Sequence, residues 1–243
     1  MLSLKNRHKG VTNQTHARLV ASGCRRRLHG TCAGGSWCVW RGKVVQAVVP
    51  FVILAAFSYA LDLGTVYLRT HAYPKAEIVY TRASGLNPSS PYLLLGLALA
   101  QFLSGRTAES VQTSRRLLTL EPEFSTARLL LAFALYIDGD LVGARQATSE
   151  GLKLPNPNPY LYYLEASVLL KQHTGDYARI LDDLSVAEGD IPACSLCYVA
   201  SGKAREQEGD LGRALSDFEM AVRLGPSLPE GWYHLASAYD RLV

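Results

Sequence analysis

Cys194-Ser195-Leu196-Cys197 is the one CxxC of the chain, and thiols at that spacing can close a small disulfide, pack side by side, or exchange electrons with a partner. Exchange normally places the pair at the start of a helix in a strand-rich fold, for which this sequence carries no pattern, so a disulfide or two packed thiols lead. Cys24, Cys32 and Cys38, with His29 among them, invite a zinc reading, but spacings of eight and six form no CxxC pair and present no closed set of four ligands. A phosphate-cradling G-x-x-x-x-G-K-[ST] loop, an H-E-x-x-H helix and a G-x-S-x-G elbow are all missing from the sequence. The acidic clusters Asp182-Asp183 and Glu188-Gly189-Asp190 read as solvated faces and not as a catalytic pair. These residues point away from an enzyme and imply no cofactor, no metal and no small-molecule substrate.

The elements that carry them divide by charge. Residues 1–43 contain nine Lys and Arg and no Asp or Glu, whereas the whole chain of 243 residues is only +4, which leaves −5 for the remainder. After the basic segment runs VVQAVVPFVILAAFSYAL, Val44 to Leu61, without a formal charge. As a helix it would span about 27 Å, close to the roughly 30 Å of a bilayer's hydrocarbon core. We therefore expect a basic, disordered segment at 1–43 and a single-pass transmembrane helix at 44–62 in contact with the lipid bilayer. A buried core helix is the bland alternative. Lys and Arg ahead of the span put the N-terminus in the cytoplasm and the rest outside it, as in a bacterial inner membrane. An Arg-rich, acid-free leader also suits a mitochondrial transit segment, and with it the mitochondrial inner membrane. A signal peptide cleaved at Ser58-Tyr59-Ala60 competes, but a basic leader this long is unusual for one. Arg25-Arg26-Arg27 is then first a topology signal, and no nucleic-acid partner is expected.

Beyond the span a period appears. Pro88 and Pro122 lie 34 residues apart, as do Pro192 and Pro226, and each closes an apolar helical pattern. A period of that length marks helical hairpins that hide their apolar faces only by stacking on one another. The clearest copy runs from Gly209 to Asp240: Gly209-Asp210 forms a turn, Ala214, Phe218 and Ala221 share one helix face, Pro226 ends the unit, and Trp232, Leu235, Ala236 and Tyr239 open the next. On these residues the chain resembles the tetratricopeptide repeat. Leu63-Gly64, Tyr67, Ala76, Tyr80, Ala83 and Pro88 repeat the pattern, and weaker copies keep Leu97, Ala98, Gly105, Leu131, Ala132, Gly139-Asp140 and Ala144. Ser110 and Ser114 depart from it where Ala and an aromatic are usual, and extra residues near Lys171–Thr174 lengthen one helix or widen its turn.

The resemblance implies an all-α fold: a right-handed solenoid over 57–243, preceded by one transmembrane helix. Its units are about 57–90, 91–124, 125–158, 159–194 and 195–228, with a capping helix at 229–243. The solenoid's start overlaps the apolar run, which a helix continuous from membrane to solenoid would resolve.

The resemblance further implies that the first helix of each unit lines a concave groove for a protein or peptide ligand. Register assigns to it Tyr92, Leu95, Leu99, Phe102, Leu129, Phe133, Tyr136, Tyr160, Tyr163, Leu170, Lys203 and Tyr233, an apolar and aromatic surface that turns polar toward Lys203. Ordinary core packing is the alternative, since a register error of one residue would bury several of them. The chaperone-tail clamp of some family members is not expected, because Leu61 and Thr65 occupy its first places. The expected function is a membrane-anchored scaffold. An accessory subunit of cell-envelope polymer assembly or export, or a redox or metal protein centred on Cys194 and Cys197, are the other readings.

Overall fold

The structure, a computed structural model, describes residues 58–242. The basic segment 1–43, the larger part of the expected span at 44–62, and Cys24, Cys32 and Cys38 lie outside those residues. Among the described residues no helix is long and apolar enough to cross a membrane.

The described residues form eleven helices and no strand. Helix α1 covers 58–69 of the described chain. It is followed by α2 (Tyr73–Leu86), α3 (Pro91–Leu103), α4 (Thr107–Leu120), α5 (Ser125–Asp138) and α6 (Leu141–Leu152). The remainder are α7 (Tyr160–Lys171), α8 (Tyr177–Asp190), α9 (Ser195–Glu208), α10 (Leu211–Leu224) and α11 (Pro229–Leu242). From α2 on, each helix packs on the next, and α3, α5, α7, α9 and α11 also touch in succession. The result is a solenoid whose odd-numbered helices share one face.

The turns show why the chain reverses where it does. Gly139, Gly175 and Gly209 adopt left-handed φ values of 89°, 73° and 96°, a region costly for any residue with a Cβ. The Asp that follows each one caps the next helix: Asp140, Asp176 and Asp210 accept from the backbone N–H of Gly143, Arg179 and Arg213 at 2.8, 3.4 and 3.0 Å. The extra residues after Lys171 do not lengthen α7. They widen its turn, with His173 and Gly175 both at positive φ.

Packing between hairpins depends on large rings set against glycine. Tyr80 of α2 lies between Gly64 of α1 and Gly96 of α3; a Cβ on either would fall 2.4 or 2.5 Å from its ring. Phe218 of α10 rests in the same way on Gly202 of α9. Ala60 is buried in the cluster around Tyr80, with Leu61 packed against it. Residues 58–62, expected in the span, thus lie in the first helix of the solenoid. Where Ser110 replaces the usual Ala, its hydroxyl donates to the Ala98 carbonyl at 2.8 Å.

Two expectations need correction. Ala236 is exposed, and the buried small residue of α11 is Ala238, which packs with Ala214 and Phe218. The position of Ala236 contacts the second helix of its own hairpin in the other units, and among the described residues none follows α11. The pair Asp182-Asp183 is also not a uniformly solvated face: Asp182 is exposed, but Asp183 is largely buried against Arg179.

Candidate binding groove

The odd-numbered helices present partly exposed apolar side chains along their shared face because each is covered by its own second helix on one side only. Leu95, Leu99 and Phe102 follow one another at four and three residues on α3, and Leu129 and Phe133 are four apart on α5, so each set stands on one stripe. Together with Thr126 and Leu130 they line a cavity of about 250 Å³. A second cavity, about 460 Å³, lies further along the same face. Tyr136 of α5, Tyr163, Ser167, Leu170 and Lys171 of α7, Lys203 of α9 and Glu230 of α11 contribute to its wall.

Nine of the twelve residues assigned to the groove by register therefore line one of these two cavities. Leu170 does so while belonging mainly to the core, at 5% exposure. Tyr92, Tyr160 and Tyr233 are exposed and line neither. The Tyr92 ring meets Phe124 edge-on at 6.3 Å, and Tyr233 meets His234 edge-on at 5.2 Å. Register alone did not single out Ser167, Lys171, Val199 and Ala200. Their signal was available as spacing: Ser167 and Lys171 follow Tyr163 at four-residue steps on α7, and Val199 precedes Lys203 by four on α9.

The electrostatics of the second cavity centre on three charges. Lys171 holds its ammonium 4.6 Å from the centre of the Tyr136 ring, an attraction to the ring's negative face. Lys203 pairs with Glu230 at 3.4 Å, and Arg241 pairs with Glu206 nearby. Burial, together with the Glu230 carboxylate, raises the Tyr136 phenol above its ordinary value and does the same to Tyr163. Both stay neutral donors at physiological pH. Burial also lowers the His234 imidazole, helped by Lys203, which favours its neutral form.

Two further polar clusters lie elsewhere. The Glu165 carboxylate is fully buried, where it accepts from the Thr148 hydroxyl and from Arg179 at 3.0 Å. The contact ties α6, α7 and α8 together. Beside it, burial raises the Asp183 carboxyl to about 6, against the pull of Arg179 and with Glu165, Asp182 and Asp176 adding repulsion. Cys194 and Cys197 form a disulfide, with their Cα atoms 5.3 Å apart, in the first turn of α9. Both sulfurs are buried among Ile180, Leu184 and Ile191. A buried disulfide at that place braces the α8–α9 junction and offers an incoming thiol little access. Among the described residues no group of three or more His, Cys, Asp or Glu could hold a metal ion.

Comparison with known proteins places this geometry. Residues 61–122 match the family model described as tetratricopeptide repeat. No curated protein matches the chain. Among solved structures, the chain is similar to a thermophilic TPR protein of Thermus thermophilus, with 20% identity over 75% of this chain and 98% of that one and a TM-score of 0.61. It is similar to a chain of the APC/C hetero-tetramer Cut9–Hcn1, with 14% identity, 76% of this chain and 36% of that one covered, and a TM-score of 0.69. A third is YrrB, described as a TPR protein with an unusual peptide-binding site, at 12% identity, 72% and 89% coverage and a TM-score of 0.55. The described helices thus share the solenoid fold of tetratricopeptide-repeat proteins, and residues 61–122 carry that family's sequence pattern.

Proposed function

We propose that the chain is a scaffold that captures a segment of another protein on the face formed by α3, α5, α7, α9 and α11. The observation that carries this reading is the apolar cavity of Leu95, Leu99, Phe102, Leu129 and Phe133, left open beside the core clusters rather than filled by a neighbouring helix. An open pocket of apolar side chains binds by removing a partner's apolar surface from water. A structural neighbour described as having a peptide-binding site supports the same use of the fold.

The scaffold is anchored in a single pass by the helix of 44–62, which runs on into α1, with a cytoplasmic N-terminus and an extracytoplasmic solenoid, in a bacterial inner membrane or, alternatively, the mitochondrial inner membrane. The charge step between 1–43 and the rest of the chain supports that orientation. The disulfide supports an oxidising compartment.

The test places a photoreactive side chain at Phe133 or at Tyr163 in native membranes, with Glu219 on exposed α10 as the control position. Groove positions should give discrete crosslinked proteins that the control does not. Equal patterns from all three would remove the groove assignment. For the anchor, deletion of residues 1–57 should release the protein into the soluble fraction, and retention in membranes would overturn it. A cut at residue 62 would be a poorer test, since it removes Ala60 and Leu61 from the first packed cluster.

A further inference from the structure

The two cavities differ in chemistry and share a helix. The first is walled by Leu95, Leu99, Phe102, Leu129, Leu130 and Phe133, with Thr126 the sole polar side chain. A charged group placed there would lose its hydration without finding a partner. At about 250 Å³ it has room for roughly eight waters, which one large aliphatic or aromatic side chain would displace. The second cavity begins at Tyr136, three residues beyond Phe133 on α5 and so about 4.5 Å further along that helix.

That second cavity has an uncommitted positive charge. Its lining Lys, Arg, Asp and Glu residues are Lys171, Lys203 and Glu230, a balance of +1. Glu230 is engaged by Lys203 at 3.4 Å and stands 3.9 Å from His234. Lys171 is exposed, rests on the Tyr136 ring, and pairs with no carboxylate among the described residues. The neutral phenols of Tyr136 and Tyr163 and the Gln207 amide add hydrogen-bond donors around it. Donors and an unpaired ammonium at one place complement a carboxylate.

Geometry sets the distance between the two requirements. Packed helices lie about 8–10 Å apart, and an extended chain advances about 3.3 Å per residue. Passing from the α3–α5 cavity to Lys171 on α7 or Lys203 on α9 crosses one or two such intervals, or about three to six residues of extended chain.

We propose that the groove takes an extended peptide whose large apolar side chain fills the Leu95–Phe133 cavity and whose carboxylate, about three to six residues away, is held by Lys171 and Lys203. This rests on the reading of the odd-helix face as the binding surface. The carboxylate is supplied by an internal Asp or Glu or by the peptide's own C-terminus, and the recognition chemistry is the same.

The experiment selects random twelve-residue peptides displayed on phage against the full chain in detergent micelles. Recovered peptides are resynthesised with free and with amidated C-termini, and their affinities measured by fluorescence anisotropy. Enriched peptides should pair a Phe, Leu, Ile, Met or Trp with an acid at that separation. Their affinity should drop roughly tenfold or more with Lys171→Gln or Lys203→Gln, and with added salt. Neither lysine is part of a buried cluster, so both variants fold. Loss on amidation assigns the terminal carboxylate, and loss on Asp→Asn or Glu→Gln within the peptide assigns the side chain. Enriched peptides that are basic, lack the spacing, or bind both lysine variants unchanged overturn this inference but leave the groove standing if Phe133→Ala weakens them. Peptides indifferent to Phe133→Ala and Tyr163→Ala, or no enrichment at all, overturn the groove itself.

Discussion

At Gly202 a single hydrogen atom decides how closely α9 and α10 approach. A Cβ there would sit 2.4 Å from the ring of Phe218, which is fully buried and has nowhere to move. Gly202→Ala should therefore destabilise the fold by about 1–3 kcal/mol, the usual cost of overpacking, despite the gain in helix propensity. Gly189 in α8 has nothing within 4 Å, and Gly189→Ala should raise stability by about 0.5–1 kcal/mol. Thermal melts of the two variants check the contrast, and a shift of the same sign in both would refute this account of the ring contact. Ala214→Glu and Ala221→Glu should each cost several kcal/mol by burying an unpaired carboxylate, while Glu219→Ala at an exposed site costs little.

Asp183 adds a pH dependence with a definite sign. Its folded-state value is raised from 3.8 to about 6, chiefly by burial, so between those pH values the native state holds a proton that the unfolded chain has released. Its contribution to stability is complete below about pH 4 and is lost as pH rises through 6. Above that, the charged carboxylate is a liability. Asp183→Asn should melt above the parent protein at pH 7, and the gap should close by pH 4. A gap that is independent of pH would mean that Asp183 is already ionised without cost.

Among the elements, the turns were the most legible, because a Gly that must adopt positive φ followed by an Asp that caps the next helix is a local requirement visible in two adjacent letters. Of the glycines that meet Tyr80 and Phe218, Gly64 was legible at its place in the repeat, whereas Gly96 and Gly202 were not singled out. The Glu165 lock was not, since Thr148, Glu165 and Arg179 meet across three helices and no periodicity announces a buried carboxylate. The stripe of Leu95, Leu99, Phe102, Leu129 and Phe133 was legible by spacing, but the division of the face into two cavities was not, because Leu170 is at once core and cavity wall. Ala236 misled because its pattern position is small in every hairpin, while its burial requires a helix that does not follow α11 among the described residues.

The α8–α9 junction carries the element-scale prediction. A disulfide closing so short a loop removes about 2 kcal/mol of unfolded-chain entropy. Reductant should lower the melting temperature of the parent protein, and the double variant Cys194→Ala and Cys197→Ala should show that lower value with or without reductant. Alkylation should reach neither cysteine until the chain is both reduced and unfolded, given their burial. Alkylation of both cysteines in the unfolded chain without any reductant would show that the thiols merely pack.

Across the whole solenoid, stability is a sum of hairpins and of the interfaces between neighbours, so it is not uniform along the chain. The centre is the most heavily tied. Helices α7, α8 and α9 share the largest apolar cluster, the Glu165 lock reaches back to α6, and the disulfide pins the start of α9. Among the described residues helix α11 packs on one side only: Trp232, Tyr233 and Tyr239 remain exposed, and Ala238 is the one apolar residue described as fully buried in it. Opening it costs that contact, the His234 ring stacked on Phe218, the Lys203–Glu230 and Arg241–Glu206 pairs, and the hydrogen bonds from the Tyr239 hydroxyl to Glu219 at 2.8 Å and from the Trp232 indole to the Pro226 carbonyl at 2.9 Å. Exposed pairs of that kind contribute about 0–1 kcal/mol each. Backbone amides of α11 should therefore exchange with deuterium well before those of α7 to α9. Because Glu230 borders the second cavity, a peptide bound through Lys203 should slow exchange in α11 as well as in α9. Equal protection from α3 through α11 would show a cooperative block in place of a stack, and protection by peptide confined to α3 and α5 would separate the two cavities into independent sites.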